Sequence, residues 1–268
     1  MGIRAALRAK LVRAVDEVVA KRHEEQTAAL MAQIRTELDG RVRREVDRVI
    51  CEIRTVETRD RRDTFAAAER AAVASTARFV QREMRSARHF DNPRATLEFA
   101  LAQAPLGGLA LEFGVFSGAT LKIISAARDV GGVYGFDSFT GLPENWRVGF
   151  DTGAFGMDTP PDVPGAELVV GMFDETLPGF LDAHPGPVDL LHVDSDLYSS
   201  AVTVLRHVGP RLRPGSVIVF DEFFNYPGWE EHEAKAWREY VVAHGIEFRY
   251  EAYTLDHEQV VVQLTGSR

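Results

Sequence analysis

The sequence predicts an α/β protein in two parts, a body built on a seven-stranded, largely parallel sheet and a long helical extension in front of it. Three observations carry that reading. Residues 3–88 hold one glycine, Gly40, and no proline, a composition that favours continuous helix. From Leu109 onward, short apolar runs alternate with helical stretches and Gly/Pro turns, the texture of strands joined by crossover helices. Charge divides along the same line. Residues 1–88 carry 20 Lys/Arg against 14 Asp/Glu, so the net charge of −9 leaves −15 on the remainder.

The extension, residues 1–88, carries an apolar stripe at Leu30, Ile34, Leu38, Val42, Val46, Val49, Ile53 and Val56. The spacing averages close to the roughly 3.67 residues of an eleven-residue repeat rather than the heptad. One stripe on a long helix needs a partner, which points to homo-oligomerisation through these helices or to a hairpin within the chain. Asp91-Asn92-Pro93 ends the helical run and Arg94–Gln103 reads as a further short helix.

The body, residues 89–268, is expected to hold strands at Leu109–Phe113, Val133–Phe136, Glu167–Val170, Leu190–Val193, Val217–Phe220, Phe248–Thr254 and Gln259–Leu264. Helices fall between them at Ala119–Arg128, Thr176–Ala183, Ser199–Val208 and Glu230–His244. Glu144–Val163, rich in glycine and Asp/Thr without periodicity, reads as a binding loop.

Several classes fall away. No apolar run approaches the ~20 residues of a membrane span. Charged residues, including Asp16 and Glu17, interrupt any signal-peptide core. Cys51 is the only cysteine, which excludes an intrachain disulfide and a cysteine-built zinc site. These features point to the cytoplasm. The acidic body does not offer the basic surface that nucleic acid needs.

The first strand ends in Glu112-Phe113-Gly114-Val115-Phe116-Ser117-Gly118 and runs into a helix. Glycines at such a turn admit a ligand to the backbone and to helix N-terminal amides. The acid two residues before Gly114 suits a cationic ligand and repels a pyrophosphate, which turns the reading from NAD toward S-adenosylmethionine. The next strand ends in Asp137, about 20 residues after the glycine loop. A carboxylate at that offset serves either a ribose or its own turn.

The fourth and fifth strands end in Asp194 and in Asp221-Glu222. Parallel strands deliver these three acids to one edge, where carboxylates repel each other unless a cation lies between them. An all-oxygen set suits Mg²⁺. Asp196 reads as the cap of the helix that begins near Tyr198. His192, two residues before Asp194 on the same strand face, reads either as a base or as a buried, hydrogen-bonded histidine.

EFGVFSG, YGFDSFTGLP, GMFDETLP, HVDSDLYSSAVTVL and GSVIVFDEFFNYPGW stand in the order and spacing of the macrocin-type O-methyltransferases, which the sequence resembles from Leu109 to Leu264. The resemblance implies a Rossmann-like sheet and an S-adenosylmethionine-dependent, Mg²⁺-assisted enzyme acting on a hydroxyl of a small molecule or glycan. It implies that Glu112, Gly114 and Gly118 hold the methionine part of the cofactor, that Asp137 with the adjoining Ser138 binds the ribose, and that Gly171, Met172 and Phe173 border the adenine. Asp194, Asp221 and Glu222 match metal ligands, with Asp194 also the base. Asp221-Glu222 departs from the Asp-Asp of the macrolide enzymes. Two other readings stay open: a nucleotide-dependent oxidoreductase, and a non-catalytic helical assembly module carrying a degenerate methyltransferase domain.

Overall fold

The computed structural model describes residues 2–128 and 132–267, which fall into two units, Met1–Ala66 and Ala67–Arg268. The first unit holds the 60-residue helix α1 (Ile3–Arg62), whose last turn carries Arg59, Arg61 and Arg62 against the carbonyl end of the helix dipole. Its apolar stripe is solvent-exposed along its length, from 42% at Ile34 to 67% at Val56. The helix stops because Asp63 turns its carboxylate on the chain ahead, Oδ1 accepting from the N–H groups of Phe65 (3.0 Å) and Ala66 (3.1 Å). It thereby caps α2 (Thr64–Glu83).

The structural division therefore falls at Ala66/Ala67 rather than at residues 88/89. The reason is packing. Ala72, Phe79 and Met84, on or just after α2, are buried in the core of the second unit. Two hydrogen bonds tie the same helix to the segment after the sixth strand: Trp229 Nε1–H donates to Ser75 Oγ at 2.9 Å and the Asn225 N–H to Thr76 Oγ1 at 2.9 Å.

The second unit continues through β1 (Arg88–Phe90), α3 (Pro93–Gln103), β2 (Leu109–Phe113), α4 (Ala119–Ala126), β3 (Val133–Asp137), β4 (Glu167–Val170), α5 (Phe173–Ala183), β5 (Val188–Val193), α6 (Tyr198–Val208), β6 (Leu212–Phe220), α7 (Glu233–His244), β7 (Ile246–Thr254) and β8 (Val260–Ser267). The strands form one sheet in the order β1-β7-β8-β6-β5-β2-β3-β4, with β8 antiparallel to both of its neighbours and the other pairings parallel. The expected seven strands become eight because Arg88–Phe90 adds a short parallel edge beside β7. Three residues are too few to show a period in the sequence.

Helices cover both faces. Leu111, Phe113, Leu191, Val193, Ile218 and Phe220 point into a core shared with α2, α5, α6 and α7, while Ala110, Leu190, Val217 and Val219 point into a core shared with α3 and α4. Strand β5 is buried at every position, as a central strand of a doubly wound sheet must be. Strand order reverses between β2 and β5, which opens a crevice beyond their carboxyl ends. Backbone bonds align that rim: Gly114 N–H donates to Phe136 O, Asp194 N–H to Phe113 O and Asp221 N–H to Val193 O, at 2.9, 2.9 and 2.8 Å.

Candidate active site

A cavity of about 360 Å³ lies at the crevice, within the ordinary range of small-molecule sites. On one side it is lined by Gly114, Asp137, Ser138, Gly171, Met172 and Phe173, and on the floor by Asp194, Ser195, Asp196 and Glu222. The loop after β3 supplies the remaining wall with Trp146, Arg147, Phe150 and Phe155.

Gly114 is required by geometry. Its φ is +94°, and a Cβ there would sit 1.7 Å from the carbonyl oxygen of Asp194. Only a bare backbone lets the β2 turn pass the end of β5 so closely. Gly118 also has a left-handed conformation, at φ +72°, where it opens α4, and a Cβ on it would meet Val163. Gly118 shapes the loop without lining the cavity.

Asp137 staples this loop. Its Oδ2 accepts from the N–H groups of Val115 and Phe116, both at 2.9 Å, and its Oδ1 accepts from Phe139 N–H at 2.8 Å. The carboxylate that the sequence offers to a ribose or to its own turn thus serves the turns after β2 and β3 while facing the cavity. Ser138 Oγ lies 2.9 Å from Thr140 Oγ1 and accepts from the Thr140 N–H.

Glu112 and His192 stand in direct register on β2 and β5. Both are buried, and His192 Nδ1 lies 2.8 Å from Glu112 Oε1 while its Nε2 lies 3.4 Å from Asp221 Oδ1. Burial alone would lower the basicity of this imidazole. The hydrogen bonds to Asp221 and Glu112 outweigh it and hold His192 well above its usual pKa. Neither Glu112 nor His192 lines the cavity. Glu112, expected at the methionine end of a cofactor, places Oε1 against His192, while its Oε2 is buried without a hydrogen-bond partner. The hydrogen-bonded reading of His192 is the one that describes its surroundings.

The acids converge, in a grouping that differs from the expected one. Ligating atoms of Asp194, Asp196 and Glu222 lie within 4.8 Å of one another, as do those of His192, Asp194 and Asp221. Burial, then the charge of Asp221, raises Asp194 well above the usual carboxylate range. Burial, then Asp194, does the same to Glu222. Burial pushes Asp196 up to about 7, with Arg147 opposing and Asp221 adding. Burial also acts upward on Asp221, but its bond to His192 reverses the outcome and holds it low.

Asp196 does not cap α6. Leu197 is the capping residue and no side chain makes a cap bond, while Asp196 faces the cavity. Pattern reading also missed Glu233, fully buried at the start of α7. Its two oxygens accept from Ser195 N–H (3.4 Å) and Glu222 N–H (3.2 Å), tying the loops after β5 and β6 together. Arg147 was missed too. It pairs with Glu258 Oε1 at 2.8 Å and stacks 3.9 Å from the Trp146 ring centre and 4.6 Å from that of Tyr226. Only the Asp-x-Asp repeat at 194–196 carried a sequence signal for any of these.

The order of the parallel strands, the antiparallel β8 and the glycine turn after β2 form a doubly wound, Rossmann-like sheet with its crevice at the switch point. Residues 111–223 match a family model described as a methyltransferase domain. Among curated proteins, the chain is 28% identical over 172 residues to the 8-demethyl-8-(2,3-dimethoxy-alpha-L-rhamnosyl)-tetracenomycin-C 4'-O-methyltransferase of Streptomyces olivaceus, an alignment covering 54% of this chain and 63% of that protein. The chain thus spans less than two thirds of that relative's length. Among solved structures, it is similar to a calicheamicin methyltransferase (26% identity, TM-score 0.49, 63% of this chain and 76% of that one). It is also similar to the O-methyltransferase NovP (21% identity, TM-score 0.46, 64% of this chain and 79% of that one). No helix among the described residues is long and apolar enough to cross a membrane.

Proposed function

We propose that the chain is an S-adenosylmethionine-dependent O-methyltransferase, assisted by a divalent cation such as Mg²⁺, that acts on a hydroxyl of a small molecule or glycan. The observation that carries this reading is that one cavity joins the glycine-loop wall to the carboxylate floor. A volume of about 360 Å³ suits a nucleoside-sized ligand, and the bare backbone at Gly114 forms a cradle that a side chain would fill. The floor fits a hard cation: its donors are oxygens, and Glu222 Oε2 is buried with no hydrogen-bond partner.

When bound, S-adenosylmethionine supplies an activated methyl group and the cation supplies Lewis acidity. The chain's own residues position and deprotonate. Gly114, Ser138, Gly171, Met172 and Phe173 bound the cofactor side, with Asp137 fixing the loop that shapes it. Asp194 is the base, accepting the acceptor hydroxyl's proton on a carboxylate oxygen. Burial raises that oxygen's affinity for a proton, which suits it to accept one. Trp146, Phe150 and Phe155 exclude water, and holding the two reactants in line supplies most of the rate. A homo-oligomer joined by α1, working in the cytoplasm, completes the proposal. An oxidoreductase would need a pyrophosphate beside Glu112, and a degenerate module would have lost the acids at 137, 194 and 221.

The test is methyl transfer from labelled S-adenosylmethionine to a panel of glycosylated and phenolic acceptors, with Mg²⁺ or with excess EDTA. The expected result is transfer that EDTA abolishes and that Asp194→Asn lowers by at least about 100-fold. Full-rate transfer in EDTA would remove the cation from the mechanism. Binding of NAD without binding of S-adenosylhomocysteine would remove the whole reading.

A further inference from the structure

The loop-side wall of the cavity is aromatic, and two of its rings are open to solvent. Phe116, on the turn after β2, is 47% exposed, and Phe155, on the loop after β3, is 39% exposed. Their rings meet edge to face, with centroids 5.8 Å apart and planes at 72°. Phe155 stacks on Phe150 at 5.3 Å, and Phe150 leans on Trp146 at 5.2 Å, so the four rings form one continuous wall. Phe116 (φ +45°) and Phe155 (φ +65°) both hold a left-handed backbone, which bulky side chains adopt only where their surroundings fix it. Hydrogen bonds fix it here. The Phe116 N–H donates to Asp137 Oδ2 at 2.9 Å. On either side of Phe155, Ala154 N–H donates to Asp151 O at 2.9 Å and Gly156 N–H to Gly153 O at 3.2 Å. The loop is fastened to α6 by Ser199 Oγ–H, which donates to Glu144 Oε1 at 2.6 Å. The backbone therefore holds out two large apolar rings, and covering such area with a ligand is favourable.

The same cavity offers little to an anion. Arg147 is the one cationic side chain among the described residues that line it. Its guanidinium is paired with Glu258 Oε1 at 2.8 Å and lies 3.9 Å from the Trp146 ring centre. Acids supply the floor. A phosphate group would meet their repulsion without an open guanidinium fork or ammonium to hold it. We propose that Phe116 and Phe155 are the specificity pair for the methyl acceptor, that they grip a flat, uncharged aromatic ring, and that nucleoside-diphosphate acceptors are refused. This rests on the O-methyltransferase reading above. Two exposed rings set edge to face give a ligand ring both arrangements that aromatic quadrupoles favour, a face to stack on and an edge to point at. Neither ring belongs to the cofactor side as bounded above, so their effect falls on the acceptor and not on the methyl donor.

The experiment is a calorimetric titration of full-length protein saturated with S-adenosylhomocysteine. Naphthalene-2,3-diol is the flat probe and UDP-glucose the anionic one, and the proteins are wild type, Phe116→Leu, Phe155→Leu and Phe155→Tyr. The wild type should bind the diol at least about tenfold more tightly than UDP-glucose. Each leucine variant keeps apolar bulk but loses a ring, and should weaken the diol by at least about fivefold. Phe155→Tyr restores the ring and should stay within about twofold of wild type. Affinity for S-adenosylhomocysteine should stay within about threefold in all four proteins, which also shows that each variant is folded. Unchanged diol affinity in both leucine variants overturns the assignment, as does a wild type that binds no diol or binds UDP-glucose as tightly. Loss of S-adenosylhomocysteine affinity in the leucine variants equal to the loss of diol affinity places the pair in the cofactor pocket and overturns it too. A wild type that binds no S-adenosylhomocysteine overturns the methyltransferase reading, and this assignment with it.

Discussion

Asp137→Asn separates the site from the scaffold more sharply than any other single change. The carboxylate accepts three backbone N–H groups at 2.8–2.9 Å, two from the turn after β2 and one from the turn after β3. Hydrogen bonds to a charged acceptor contribute roughly 1.5–3 kcal/mol each, and neutral ones about 1. An amide keeps one oxygen. If that oxygen retains Val115 and Phe116, the NH₂ group faces the Phe139 N–H, donor against donor. One charged bond is then lost and two become neutral. Because Asp137 is only half-buried, solvent repays part of this, leaving a cost of about 2–3 kcal/mol. The cost falls on the shape of the glycine loop. In calorimetry, S-adenosylhomocysteine should therefore bind about 10–100-fold more weakly, while most of the folding stability survives because the strands are untouched. Asp137→Ala should be at least as severe. Wild-type affinity in both variants would refute the claim that this carboxylate shapes a cofactor site. An equal fall in melting temperature with no loss of affinity would show that it only supports the fold.

Two further outcomes follow from the electrostatics and from the arm. Asp196, raised from 3.8 to about 7, favours the unfolded state once pH exceeds the unfolded value. Without metal, stability should therefore fall as pH rises from about 4 to about 7, by roughly 4 kcal/mol at most. The raised pKa of His192 acts in the same sense, its contribution being lost as pH climbs through the folded value, whereas the lowered Asp221 opposes it only at the acid end. Melts in EDTA from pH 5 to 8 check this, and a melt that rises across that window contradicts it. Separately, the exposed stripe of α1 should drive self-association, so deleting residues 1–60 should lower the mass seen by light scattering and leave S-adenosylhomocysteine affinity unchanged. A monomeric full-length chain would remove the proposed role of the arm.

The sequence by itself determined the alternating body, the glycine turn and the acids at strand ends. These follow from period and punctuation: buried parallel strands read as apolar runs, and Gly114, Asp137, Asp194 and Asp221 sit where those runs stop. It determined α1 as well, because a chain without proline and with a single glycine has little reason to leave the helix. What it did not determine were the facts that depend on distance between segments. The break at Asp63 arises because a side chain outcompetes the helix for two amides. The assignment of residues 67–83 to the body arises because Phe79 finds Trp229 and Phe223, contacts separated by some 150 positions. β1 exists only because the edge of β7 is there to pair with it. Within the site, register across β2 and β5 sets Glu112 against His192, and Asp221 bonds to His192 and Gln259. The same packing leaves Asp196 facing the cavity beside Asp194 and Glu222, and buries Glu233 where it joins two loops. A sequence shows that acids arrive at one edge. Which of them are satisfied by protein is decided by hydrogen-bond partners that only the packed structure brings together, as His192 and Gln259 are brought to Asp221 at 3.4 and 3.0 Å.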